Sequence, residues 1–269
     1  METEINKINY DEFGKPNGIL ILNKPVGITS HDLVDETRKK YKTKKVGHAG
    51  TLDPFASGKM IVLLGKATKL SDSFLGMDKE YVAEIGFGVS TNSGDVEGEL
   101  TETKPVDDAK FEDKLKAMLN SFPTKYLQYV PVFSSVKIQG NKLRELARKA
   151  DKFEIINKPE SEETSKKIIR FYKNDSILFE SLLPAKLITL NEIELLSFEE
   201  KNLSIFESKL SSKLFSLLKE KNITRLPVAK LRVNCSKGTY IRQLAEDIGT
   251  QLGYPAFLLC LERTKIGPY

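Results

Sequence analysis

Residues 47–58 read GHAGTLDPFASG, with three glycines, one proline and no hydrophobic period. That is the composition of a loop rather than of a helix or strand. It carries a carboxylate at Asp53, an imidazole at His48 and hydroxyls at Thr51 and Ser57. Pro54 biases Asp53 away from helical geometry toward an extended or turn shape. An isolated Asp-Pro is usually no more than a turn. This one lies between two apolar runs, 18–22 (GILIL) and 60–64 (MIVLL), which read as buried strands. Functional groups sit by preference on loops held by such a scaffold, so Asp53 is the first candidate for chemistry.

The remaining inventory narrows what that chemistry is. His31, His48, Cys235 and Cys260 are all the histidine and cysteine in 269 residues, and none pair at the short spacings of a structural zinc site. A carboxylate-held magnesium stays open, though nothing marks one. Carboxylate, hydroxyl, phenol and guanidinium groups must therefore do most of the work. Three common signatures fail on the residues themselves. Ala67 stands where a phosphate-binding loop needs Ser or Thr after Lys66, and Gly86-Phe87-Gly88 lacks the third glycine of a dinucleotide fingerprint. Ser134 and Ser135 lack a nucleophile-elbow sequence.

Net charge is +5, from 42 Lys+Arg and 37 Asp+Glu, a weak lean toward an anionic partner. The distribution says more. Residues 38–45 (RKKYKTKK) hold six basic side chains and no acidic one, and residues 137–151 hold five basic against two acidic. Acidic excess sits elsewhere, at 95–99 and 160–163. Two basic segments flanking one candidate site make nucleic acid the leading partner. No apolar run approaches the roughly 20 residues that span a bilayer, and the first seventeen residues show no secretory pattern. A cytoplasmic protein is expected.

The loop needs elements to hold it. Thr29 or Ser30 can cap a helix running through Leu33, Val34 and Thr37 into the first basic segment. A further helix is expected near Ala67. Tyr81, Ala83, Ile85 and Phe87 alternate as on one face of a strand, and the polar stretch 90–99 must turn into the next. Phe111, Leu115, Met118 and Leu119 predict a helix within 107–121, residues 128–137 look irregular, and 143–149 return to helix. From about 152 to 225 the composition shifts to Lys, Glu, Ser, Leu and Ile, with a strand-like 187–196 between two stretches that read as helical or floppy. Residues 231–235 predict a strand, 236–239 a turn, and Ile241, Leu244, Ala245, Ile248 and Leu252 a helix stopped by Gly253. Strands outnumber plain β-α alternation, which favours an α+β fold with a mixed sheet.

The loop sequence resembles the catalytic loop of the TruB-type tRNA pseudouridine synthases. Other segments match that family in order along the chain. Residues 23–30 (NKPVGITS) are similar to its N-terminal element, Lys79-Glu80-Tyr81 to its K-x-Y strand and 91–98 to its polar turn. Residues 133–137 (FSSVK), with Gly140 and Ala147-Arg148, resemble the loop that closes over RNA. Residues 235–242 (CSKGTYIR) match a further element, and Leu261-Glu262-Arg263 the terminal L-R-R.

The resemblance implies a mainly antiparallel mixed sheet flanked by helices, the pseudouridine synthase fold, without a C-terminal RNA-binding domain. It implies one catalytic domain over 18–269, insertions at about 154–186 and 202–226, and an N-terminal extension over 1–17. The implied reaction turns uridine 55 of the tRNA T loop into pseudouridine. The C1′–N1 bond breaks, the uracil turns and rejoins through C5, and no cofactor or metal is required. Asp53 is the implied catalytic carboxylate, adding to the base or assisting departure at C1′; both routes stay open. Arg242 is its implied partner, and Tyr81 the ring that stacks on the target base. Tyr240 and Leu261 are implied to line the uracil pocket, and His48 to stack within the T loop. Lys24, Lys44, Lys45, Lys137 and Arg148 are expected to contact phosphates. No second carboxylate that could activate water is evident. Glu262 stands where the family has arginine, which removes one positive charge near the site. The expected partner is the T arm of tRNA, bound by a monomer. Two other readings predict different behaviour: a tRNA-binding module without turnover, and a relative that depends on a guide RNA.

Overall fold

The computed structural model describes residues 5–159 and 165–269; the acidic stretch 160–163 and the first four residues lie outside them. Along the chain come β1 (Ile8–Tyr10), β2 (Pro16–Lys24), α1 (Ser30–Lys40), β3 (Val46–His48) and β4 (Ser57–Leu64). A 3₁₀ turn (Gly65–Leu70) leads into the short α2 (Ser71–Leu75), then β5 (Lys79–Phe87), β6 (Val89–Thr91), β7 (Leu100–Thr103) and α3 (Phe111–Asn120). After β8 (Lys125–Tyr129) the two-residue strands β9 (Lys137–Ile138) and β10 (Asn141–Lys142) precede α4 (Leu143–Lys149). Strands β11 (Lys152–Pro159), β12 (Ser165–Lys173), β13 (Ser176–Leu182) and β14 (Ala185–Asn202) follow. The chain then forms α5 (Ser212–Glu220), β15 (Arg225–Cys235), α6 (Ile241–Leu252) and β16 (Ala256–Ile266).

Nine strands form one sheet in the order β1-β2-β4-β16-β5-β15-β14-β8, with β3 also paired to β4. Every pairing in it is antiparallel except β4 with β16. This is the mixed, mainly antiparallel α+β architecture. The unbroken apolar run of β4 follows from burial on both faces. Met60, Val62 and Leu64 enter the main core with α6 and β5, while Ile61 and Leu63 enter a smaller core with Phe74 and Ile266. Thr29 caps α1 as expected, in a reciprocal arrangement with Asp32. Gly253 closes α6 in a left-handed conformation. Among the described residues no helix is long and apolar enough to cross a membrane.

The stretch 152–225 differs from its reading. Its first part is neither helical nor floppy; β11, β12 and β13 form an antiparallel three-stranded sheet. The alternation was hidden because both faces carry isoleucines. Ile169 and Phe171 are buried on one face, while Ile168 occupies the other and is only half-buried. The second part does contain a helix, α5, whose Leu214, Phe215 and Leu218 join the main core. The helix expected near Ala67 is a 3₁₀ turn followed by five residues of α2.

The single parallel pairing brings the end of the candidate loop against the last strand. Glu262 pairs with Ser57 and Arg263 with Gly58. Gly58 has φ of +111°, and a Cβ there would lie 2.3 Å from the Arg263 carbonyl oxygen. Only glycine permits that backbone approach. Gly58→Ala is therefore expected to destabilise the fold by about 1–3 kcal/mol or more, read as a lowered midpoint in chemical denaturation. An unchanged midpoint would contradict the close packing of loop and strand.

Candidate active site

Three backbone carbonyls hold the loop around Asp53. Arg263, 1% exposed, donates from Nη2 to the Gly50 carbonyl at 3.1 Å and from Nε to that of Lys59 at 2.7 Å. Ser30, at the start of α1, donates to the Leu52 carbonyl at 3.0 Å and accepts from the Leu52 N–H at 2.8 Å. Lys24 donates to the carbonyls of Pro54 (3.2 Å), Pro25 and Ile28 (both 2.8 Å). Residues 50, 52 and 54 are thus each fastened to a different element, and Asp53 is presented between two of them. Buried cations with several carbonyl partners suit this task because their own desolvation demands those bonds.

Asp53 opens into a cleft of about 1000 Å³, together with His48, Thr51, Asp95, Arg148 and Arg242. Its side chain keeps 37% exposure, and Oδ2 lies 3.0 Å from Arg242 Nε. The guanidinium, the second residue's side chain of α6, is almost fully buried. Its Nη1 donates to the Ser93 carbonyl at 2.8 Å and stands 3.6 Å from Asp95 Oδ2; its Nη2 donates to the Phe133 carbonyl at 3.1 Å. The pair expected between residues 189 positions apart is present.

A second carboxylate, Asp95, does stand beside Arg242. It is 3% exposed and accepts from the Ser93 hydroxyl at 2.6 Å and the Glu97 N–H at 3.0 Å. Burial pushes its carboxyl pKa up, while Arg242 and these hydrogen bonds oppose the rise. Enclosed and ion-paired, it is placed to hold Arg242 rather than to activate bulk water. The loop that carries it is tied to β16 by the Leu258 N–H on the Gly94 carbonyl at 2.9 Å. In the sequence Asp95 is one acid of an acidic turn, and nothing local distinguishes it from Glu97 or Glu99.

Lys24 also departs from expectation. It is 1% exposed, and burial lowers its pKa, with the charge of Asp53 opposing. Its ammonium is committed to three carbonyls and is not presented to a phosphate. Lys44, Lys45, Lys137 and Arg148 are exposed, and Arg148 lines the cleft. His48 lines the cleft with Nδ1 buried and without a hydrogen-bond partner. Burial, then the nearby Arg263 and His31, hold its pKa below the usual imidazole value, so it offers a neutral ring near pH 7.

Three expected residues do not line the open cleft. Tyr81 is 9% exposed on β5, directly opposite Arg263 on β16, and burial pushes its phenol pKa up. Tyr240 precedes α6, its backbone clasped by Gln128, which donates to its carbonyl at 3.1 Å and accepts from its N–H at 2.8 Å. Leu261 is 8% exposed and borders a separate cavity of about 360 Å³ with Phe55 and Cys260. Among the described residues no group of three or more His, Cys, Asp and Glu side chains is gathered to hold a metal ion.

The mixed, mainly antiparallel sheet that carries this aspartate loop has counterparts among solved structures. The chain shares its fold with a chain in a crystal structure of a Cbf5-Nop10-Gar1 complex. The TM-score is 0.57 at 24% identity, over 100% of this chain and 56% of that one. It shares it also with a chain from an H/ACA ribonucleoprotein bound to a substrate RNA containing 2′-deoxyuridine, at a TM-score of 0.53 and 23% identity, over 94% and 48%. Residues 38–181 match the model of the TruB family pseudouridylate synthase N-terminal domain. A tRNA pseudouridine synthase B of Bacillus licheniformis is 37% identical over 94% of this chain, and one of Parabacteroides distasonis 38% over 93%. This chain spans 66% of the first relative's length and 85% of the second's. The chain belongs to the TruB family of pseudouridylate synthases.

Two measurements check the electrostatics. Lys24→Met is expected to lower stability while leaving the salt dependence of RNA binding unchanged. A phosphate contact would instead reduce the salt slope by about one. Glu246 lies one turn after Arg242, against Gly94, and burial followed by the charge of Asp247 raises its pKa to about 7 from 4.5. The folded chain keeps this proton at pH values where the unfolded chain has lost it. Its stability contribution is full below pH 4.5 and is lost as pH rises through about 7. The melting temperature of Glu246→Gln should therefore gain on that of wild type across this window and hold its lead above it. A constant difference would show that Glu246 ionises normally.

Proposed function

We propose that the protein isomerises uridine 55 in the T loop of tRNA to pseudouridine, within a single catalytic domain over 18–269 that carries two insertions. The observation that carries this reading is the contact of Asp53 Oδ2 with Arg242 Nε at 3.0 Å in a cleft wide enough for an extruded nucleotide. The Arg242 guanidinium, held by its own buried partners, orients the Asp53 carboxylate through a charge-assisted contact. The target base must leave its stack, which costs a few kcal/mol. Stacking on the neutral ring of His48 and on Tyr81 offsets part of that, at about 1–3 kcal/mol per base.

In the reaction the C1′–N1 bond breaks, the uracil rotates, C5 bonds to C1′ and gives up its proton, and N1 takes up a proton from solvent. Asp53 is the carboxylate that enables the break, by addition to the base or by assisting departure at C1′. The family resemblance assigns Tyr240 and Leu261 to the uracil site, although neither lines the open cleft. Lys44, Lys45, Lys137 and Arg148 contact phosphates, which position the RNA without reading its sequence. The protein acts as a monomer in the cytoplasm on the T arm of tRNA. The names of the curated relatives, tRNA pseudouridine synthase B, support this substrate.

T-arm RNA carrying tritium at uridine C5 tests the reading directly. The wild-type protein is expected to release tritium from bare RNA, and Asp53→Ala to release none above background. RNA with cytidine at position 55 should release none with either protein. Equal release by both proteins would remove Asp53 from the chemistry. No release by the wild type from bare RNA, with release once a guide RNA is supplied, would favour a guide-dependent enzyme.

A further inference from the structure

Residues 129–150 and the β11–β13 sheet enclose a core separate from the one beneath the main sheet, built on Val132, Leu143, Leu146, Ile169, Phe171 and Leu183. A row of four rings runs through this unit. Phe133, Phe153, Phe171 and Phe179 have successive centroid separations of 6.1, 6.0 and 6.4 Å. Phe153, Phe171 and Phe179 are direct cross-strand partners on β11, β12 and β13. Phe171, at the centre of the row, is 0% exposed. At the near end, the backbone carbonyl of Phe133 accepts the hydrogen bond from Arg242 Nη2.

Residues 130–136 contain no helix or strand. Their position is set by a few backbone bonds, such as Val130 N–H to the Pro184 carbonyl and Arg144 N–H to the Ser134 carbonyl, and by the packing of the Phe133 ring. Arg242 is a buried fork of donors, and each donor needs an acceptor. If the Phe133 carbonyl shifts, Nη2 must turn to find another, and Nε turns with it away from Asp53. We propose that the aromatic row is a positioning device for Arg242, through which the three-stranded sheet aligns the guanidinium on Asp53. The row rests on the reading of Arg242 and Asp53 given above. It assigns to strands β11, β12 and β13 a role in the chemistry through packing, beyond the lining that Lys152 and Phe153 give the cleft.

Phe171 is 0% exposed and lines none of the cavities at the site, whereas its row neighbours Phe133 and Phe153 line the cleft, so its influence on turnover passes through packing. In the T-arm tritium assay, Phe171→Leu is expected to lower kcat about tenfold, since small misplacements of catalytic groups are costly. KM should stay within about twofold of wild type, the pattern of an interaction lost in the transition state rather than in binding. The melting curve recorded beside it corrects for any unfolded fraction. Unchanged kcat, or a rise confined to KM, would overturn the proposal. If Phe171→Leu does not fold, Phe179→Leu, at the half-buried end of the row, is read by the same criteria. Failure of the functional reading looks different, because the wild type itself would then release no tritium.

Discussion

A buried guanidinium constrains the whole site. Arg242 has lost nearly all of its water, and its charge must be answered by protein groups. Asp53, Asp95, the Ser93 carbonyl and the Phe133 carbonyl answer it. They come from the loop before β4, the turn between β6 and β7, and the segment after β8. Removing one partner of such a buried pair typically costs about 3–5 kcal/mol, so these distant pieces of chain are held in one arrangement by one side chain. The Asp53 loop, the acidic turn and the segment after β8 meet because Arg242 requires all of them.

The same principle recurs one layer below. Lys24 and Arg263, each 1% exposed, satisfy their charges on loop carbonyls instead of on carboxylates. Bound to the carbonyls on either side of Asp53, they keep the loop from drifting. The parallel pairing of β4 with β16 and the glycine at position 58 let β16 come near enough for Arg263 to do this. Loop rigidity and sheet topology are one feature here.

What was legible in the sequence, and what was not, divides by range. Strands β2, β4 and β5, the capped helix α1 and the Gly253 stop of α6 announce themselves through local apolar period and capping chemistry. Asp53 stood out through its glycine-rich, proline-bearing surroundings. Arg242 was found through a family resemblance, since an arginine in an amphipathic helix looks like any surface charge. Lys24 was misread for the same reason: a lysine beside a proline carries no local sign that its ammonium will be enclosed by three carbonyls. The β11–β13 sheet was missed because isoleucines on both faces blur a period of two.

The sequence by itself determined the kind of chemistry available, the loop that bears the carboxylate and the family to which the chain belongs. These depend on residue type and on neighbours a few positions away, which a linear reading preserves. Tertiary structure alone decided which charges are spent and which remain free. It made Lys24 and Arg263 fasteners, Asp95 a holder of Arg242, and Lys137 and Arg148 exposed cations. The physical reason is that a charge acquires its role from its desolvation and its partners, and both are set by residues far away in the chain.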